Sequence, residues 1–227
     1  MLRNGLGPEP AAHDIARHAG SVIVLAGASC VGKTTMLERI RDGDHSMLPA
    51  LPDSFDVGAC DIRNAMDLVS RANGPAPGRT LLVHYDLFRP ITFHGGLDFA
   101  SDPVLSILRG ASDVAALTLW EEPGILQRRS RVRRRRLWRK LVKRPFIGRV
   151  GWNYHVFEGA RRRRKIMQPW FDDPERLWQI YAAWFEYCRA AGIPHHWIGR
   201  SSEEGSFAPL PTDAACTPPW MPAELVR

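Results

Sequence analysis

The run Gly27-Ala28-Ser29-Cys30-Val31-Gly32-Lys33-Thr34 fits the spacing G-x-x-x-x-G-K-[ST] at every fixed position. Its flanks suit the motif. Ser21 to Ala26 is a short apolar segment of the kind that forms a buried parallel strand, and Thr34 to Ile40 has helical spacing, extending to about Arg41 before Asp42-Gly43-Asp44. A strand, a glycine-containing turn and a helix therefore follow one another in the order the motif requires.

Residue chemistry explains the pattern. Glycine in the turn lets backbone N–H groups approach a polyphosphate where a Cβ would obstruct, and the positive end of the next helix points to the same place. The cradle is read as Gly27, Ala28, Ser29, Cys30, Val31, Gly32, Lys33, Thr34 and Thr35. Lys33 is expected to reach the β- and γ-phosphates and the Thr34 hydroxyl to ligate Mg²⁺, with Thr35 touching the α-phosphate or capping the turn.

Downstream, Thr80-Leu81-Leu82-Val83-His84-Tyr85-Asp86 is an apolar run closed by aspartate. After a phosphate-binding loop this is the Walker B pattern, in which a strand-end carboxylate organises hydrated Mg²⁺. Asp86 is thus a metal or substrate residue, the alternative being a cap on the next turn. Phe55 to Asp61 is weakly strand-like, and its Asp61 competes with Asp86 for the catalytic role. Arg63 and Arg89 are candidate substrate-binding guanidiniums, with Pro90 expected to prevent a helix beginning there.

Pro103 to Arg109 reads as a helix capped by Asp102 or Ser101, and Asp113 to Trp120 as a buried strand. Between Arg128 and Lys165 lie 17 of the 31 Lys and Arg residues against one acid, Glu158, leaving 14 bases and 23 acids elsewhere. The net charge of +7 is therefore local. Gly124 to Arg144 is expected to be one long basic helix with a possible break near Ser130. Asp173-Pro174-Glu175 opens another helix, whose apolar face carries Leu177, Ile180, Tyr181, Trp184, Phe185 and Cys188. Pro194 to Gly199 resembles a last strand; adjacent on it, His195 and His196 should face opposite sides.

The order of elements resembles the P-loop kinases of the nucleoside/nucleotide-kinase-like group over residues 21–199. The resemblance implies an α/β, three-layer P-loop NTPase fold: a mostly parallel sheet with helices on both faces and an arginine-rich helical lid. It implies a basic lid insertion at 124–165, while the residues themselves read as an N-terminal extension at 1–20 and a Pro-rich tail with little fixed structure at 200–227. ATP or another NTP and Mg²⁺ are the implied cofactors, and transfer of the γ-phosphate to a small-molecule or nucleotide acceptor is the implied reaction. Lys33 and Thr34 match the family's phosphate and Mg²⁺ residues, Asp86 its strand-end carboxylate, and Arg128, Arg129 and Arg133 its lid arginines.

Other classes fit less well. A hydrolytic ATPase often places a carboxylate after the Walker B aspartate, where this chain has Leu87, and no N-K-x-D motif of a regulatory GTPase is present. The alternative is a nucleic-acid-associated P-loop ATPase that binds phosphates through the arginine-rich segment; a sulfotransferase-like enzyme ranks behind both. Twelve basic residues from Arg128 to Arg149 exceed the needs of one nucleotide, so nucleic acid or an anionic membrane surface is a further possible partner at Arg128–Lys165. No apolar run approaches the ~20 residues of a transmembrane helix. No secretory signal opens the chain, and Cys30, Cys60, Cys188 and Cys216 are widely spaced, so a cytoplasmic protein with reduced thiols is expected.

Overall fold

A computed structural model describes residues 21–42, 55–59, 80–109, 111, 113–142, 162, 165–200 and 207–209. The strands are β1 (Ser21–Gly27), β2 (Phe55–Ala59), β3 (Thr80–Asp86), β4 (Asp113–Trp120), β5 (His195–Arg200) and β6 (Phe207–Pro209). The helices are α1 (Lys33–Arg41), α2 (Arg89–His94), α3 (Pro103–Leu108), α4 (Pro123–Val142) and α5 (Pro174–Ala190), with a further helical run at 165–172. Asp61 and Arg63 lie outside the described residues, as does the 1–20 extension.

The strands form one sheet in the order β2-β3-β1-β4-β5-β6. The first five are mutually parallel and β6 is antiparallel to β5, giving an α/β architecture. The apolar run of β1 reads as continuous because the strand is central and buried on both sides, Val22 to Ala26 all being buried.

Side-chain alternation sorts the two faces. Tyr85, Ala26, Thr118 and Trp197 lie side by side across four strands and share one face. The Tyr85 ring stacks on Trp184 of α5 at 5.5 Å, and the Tyr85 hydroxyl donates to Asp102 at the start of α3 over 2.8 Å. That face therefore carries α3 and α5. Right-handed crossovers send α1, which leads from β1 toward β2, to the opposite face.

Helix boundaries follow their caps. Asp102 accepts from the Val104 N–H at 2.9 Å and Asp173 from the Glu175 N–H at 3.0 Å, each followed by proline at the first helical position. The stripe expected on α5, from Leu177 to Cys188, is buried. Two local expectations are corrected, and the one long basic helix is borne out. Pro90 does not prevent a helix: it sits in the first turn of α2, where its missing N–H would have no intrahelical partner anyway. The basic helix is unbroken at Ser130, since no glycine or proline interrupts it there. Within 200–227, Phe207 is buried and β6 pairs with β5, because the open edge of β5 offers unpaired backbone groups to any nearby extended segment.

Candidate functional site at the carboxyl ends of β1 and β3

The chain turns one way after β1 and the other way after β3. β1 leads through α1 to β2, beyond β3, whereas β3 leads across β1 to β4. In open α/β sheets the crevice outside the carboxyl ends of two such strands is where ligands bind. Gly27 and Asp86 face each other there, in register.

At Gly27 a side chain would not fit. Its φ is +153°, and a Cβ would lie 2.9 Å from Val31 Cγ1 and 3.0 Å from the Leu119 carbonyl oxygen. The loop then folds onto β3. The Ser29 hydroxyl donates to Asp86 Oδ2 over 2.5 Å, the Phe88 N–H donates to Oδ1 over 3.1 Å, and the Leu87 N–H donates to the Gly27 carbonyl over 3.2 Å. Cys30 sits at φ 73°, a left-handed conformation that costs a residue with a Cβ about 1 kcal/mol or more and persists where surrounding contacts hold it. Gly32, at φ 112°, ends the turn as the N-cap of α1.

Lys33 is the first residue of α1 and is only 4% exposed. Its ammonium donates to the carbonyls of Gly27 at 2.6 Å and Ala28 at 2.8 Å, folding back over the loop that precedes it. Thr34 and Thr35 are exposed at the same helix start. Charge on the lysine, threonine hydroxyls and an ordered turn thus converge beside the Asp86 carboxylate.

One residue here was not singled out from the sequence for this place. The Tyr181 hydroxyl of α5 accepts from the Ala28 N–H at 3.1 Å and donates to the Leu119 carbonyl at 3.1 Å. Burial raises its pKa above the usual phenol value, so the group stays neutral and serves both partners at once. It ties the loop to the end of β4 through a helix 153 residues later in the chain. The available signal was a tyrosine in an otherwise apolar helical stripe, because a buried phenol needs a partner for its hydroxyl.

The three arginines assigned to a lid divide. Glu121, just after β4, is only 3% exposed, and its carboxylate pairs with Arg129 at 2.5 Å. One turn on, Arg133 Nη1 approaches Cys30 Sγ to 3.8 Å. Arg128 is exposed. Arg89, expected to reach toward a substrate, pairs through Nε with Asp102 Oδ2 at 2.9 Å and lies over the Phe93 ring at 4.8 Å. Asp102 is fully buried and also receives the Tyr85 hydroxyl and the Val104 N–H, so this cluster joins β3, α2 and α3. His195 is buried and His196 exposed, on opposite sides of β5.

Among the described residues no helix is long and apolar enough to cross a membrane. Comparison with protein-family models, curated proteins and solved structures returns no match, so the functional argument stands on the loop, its neighbours and the order of strands.

Proposed function

We propose that the chain is a P-loop phosphotransferase that binds ATP or another NTP with Mg²⁺ and moves the γ-phosphate to a small-molecule or nucleotide acceptor. The observation that carries the reading is the juxtaposition of Gly27 and Asp86 at the reversal point of the sheet, with Lys33, Thr34 and Thr35 opening α1 beside them. A turn in which Gly27 admits no Cβ, followed by a helix N-terminus, suits a phosphate chain.

Each residue then has a role. Lys33 neutralises charge on the β- and γ-phosphates, giving up carbonyl partners that a phosphate oxygen outcompetes by charge. Thr34 and Asp86 supply the oxygen donors that suit magnesium, which when bound spreads positive charge over the phosphate chain. Tyr181 withholds the Ala28 N–H from the ligand and keeps that peptide in one orientation. Arg133, beside Cys30, is positioned to meet the transferring group, while Arg129 anchors α4 through Glu121. Leu87, the residue after Asp86, is fully buried and apolar; with no carboxylate there to activate water, transfer is favoured over hydrolysis.

The test follows γ-labelled ATP with Mg²⁺ in the presence of pooled nucleosides, nucleotides and sugars, and separately with RNA. Label on a small acceptor, lost in Lys33→Ala, is the expected result. Release of inorganic phosphate only when RNA is present would replace this reading with that of a nucleic-acid-stimulated ATPase.

A further inference from the structure

The arginines of α4 whose side chains are described fall into two groups. At 100° per residue, positions 128, 131 and 135 fall within roughly 60° of one another and positions 129 and 133 lie roughly 150° away. The contacts distinguish the two groups: Arg129 pairs with Glu121 and Arg133, although exposed, approaches Cys30, whereas Arg128, Arg131 and Arg135 are exposed and make neither contact. Along the axis the outward three span about 10 Å.

Four arginines among the described residues pair with acids. Arg89 pairs with Asp102, Arg129 with Glu121, Arg176 with Asp173 and Arg189 with Glu186. Among the described residues no carboxylate forms an ion pair with Arg128, Arg131 or Arg135. Outside 128–165 the chain carries 14 bases and 23 acids, so a polyanion is repelled by the remainder and drawn to this segment. A membrane-surface helix needs a broad apolar face, and over Pro123–Arg133 and Arg135, the α4 residues whose side chains are described, Val132 at 48% exposure is the one exposed large hydrophobic.

We propose that Arg128, Arg131 and Arg135 form a contact strip for the phosphate backbone of a nucleic acid, separate from Arg129 on Glu121 and Arg133 beside Cys30. The strip is independent of the phosphotransferase reading. Buried Leu126 and the Arg129–Glu121 pair hold the inner face of α4 to the protein, which leaves the outer face to lie along a strand. Backbone contact of this kind positions a polynucleotide without reading its sequence.

The experiment measures binding of the full chain to a fluorescent single-stranded RNA of about 20 nucleotides and to a DNA duplex of about 20 base pairs across a salt series, lengths chosen to exceed the one or two helical turns such a strip could contact. Arg128→Ala/Arg131→Ala/Arg135→Ala should weaken binding at least about tenfold near 100 mM salt. It should also reduce the log–log salt slope by about 2 on the single strand or about 3 on the duplex, according to which of them is the partner. The corresponding triple lysine variant should keep the slope, and Lys33→Ala should keep the affinity. Equal affinity and slope in the alanine variant would overturn the proposal, as would loss of the slope in the lysine variant. So would wild-type protein that ignores both nucleic acids, including one that binds phosphatidylserine vesicles instead.

Discussion

The loop at residues 27–34 and the layer beneath α5 both hold polar groups away from water, but they satisfy them by different means. In the loop, two main-chain carbonyls are served by one lysine ammonium on a long flexible stem, and Asp86 is held by a single hydroxyl and a single N–H. Under α5, the Trp184 indole N–H donates to Thr118 Oγ1 at 2.8 Å, and that oxygen lies 2.8 Å from His195 Nε2. The threonine hydroxyl accepts the indole proton and still keeps a second lone pair and its own proton, so it can serve His195 Nε2 in either imidazole tautomer. Rings pack around this chain: Trp184 against Tyr85 and Phe99, and His195 against Trp197. Groups at the strand ends can exchange one partner for a ligand. Groups beneath α5 cannot do so without opening the aromatic packing.

The largest effect should come from the packed layer. Trp184→Ala removes a fully buried ring and is expected to cost about 3–5 kcal/mol of stability, read as a lower urea midpoint. If that midpoint moved by only a few tenths of a molar, the layer would not be the stabilising region. Lys33→Ala should invert the pattern. Nucleotide affinity, followed by calorimetry, should fall by about 3 kcal/mol, roughly a hundredfold, with a smaller change in the urea midpoint.

Acid should act on the layer next. Burial, with a smaller contribution from His196, lowers the His195 pKa to about 3, against about 6.5 in an unfolded chain. The stabilising contribution is complete above pH 6.5 and is lost as pH falls from there toward 3, reaching about 2 kcal/mol at pH 5. Urea curves at pH 7 and pH 5 should therefore separate more for the wild type than for His195→Asn; equal separation would remove His195 as the cause. The smallest change belongs to the residue shared by both regions. Tyr181→Phe should cost about 1 kcal/mol of stability and weaken nucleotide binding severalfold, with faster hydrogen exchange at the Ala28 amide, its direct partner. An Ala28 amide still protected in that variant would mean the phenol does not hold the loop.

Much of the frame was legible locally. The apolar run of β1, the proline-after-aspartate starts of α3 and α5, and the buried stripe on α5 are short-range patterns that neighbouring residues impose on one another. Pro90 and β6 were misread for the opposite reason. A proline is tolerated in a first helical turn, and a three-residue strand forms only because the β5 edge is beside it.

The sequence by itself determined the motif spacing, the central parallel strand, the caps and the concentration of positive charge, since each follows from covalent neighbours and a fixed helical or strand period. The tertiary structure alone decided which distant groups meet. It brought Tyr181 to Ala28, committed Arg89 to Asp102 and Arg129 to Glu121, and set Arg133 beside Cys30. Those outcomes depend on strand order and helix rotation, and no local propensity encodes the distance between residues that are far apart in the chain.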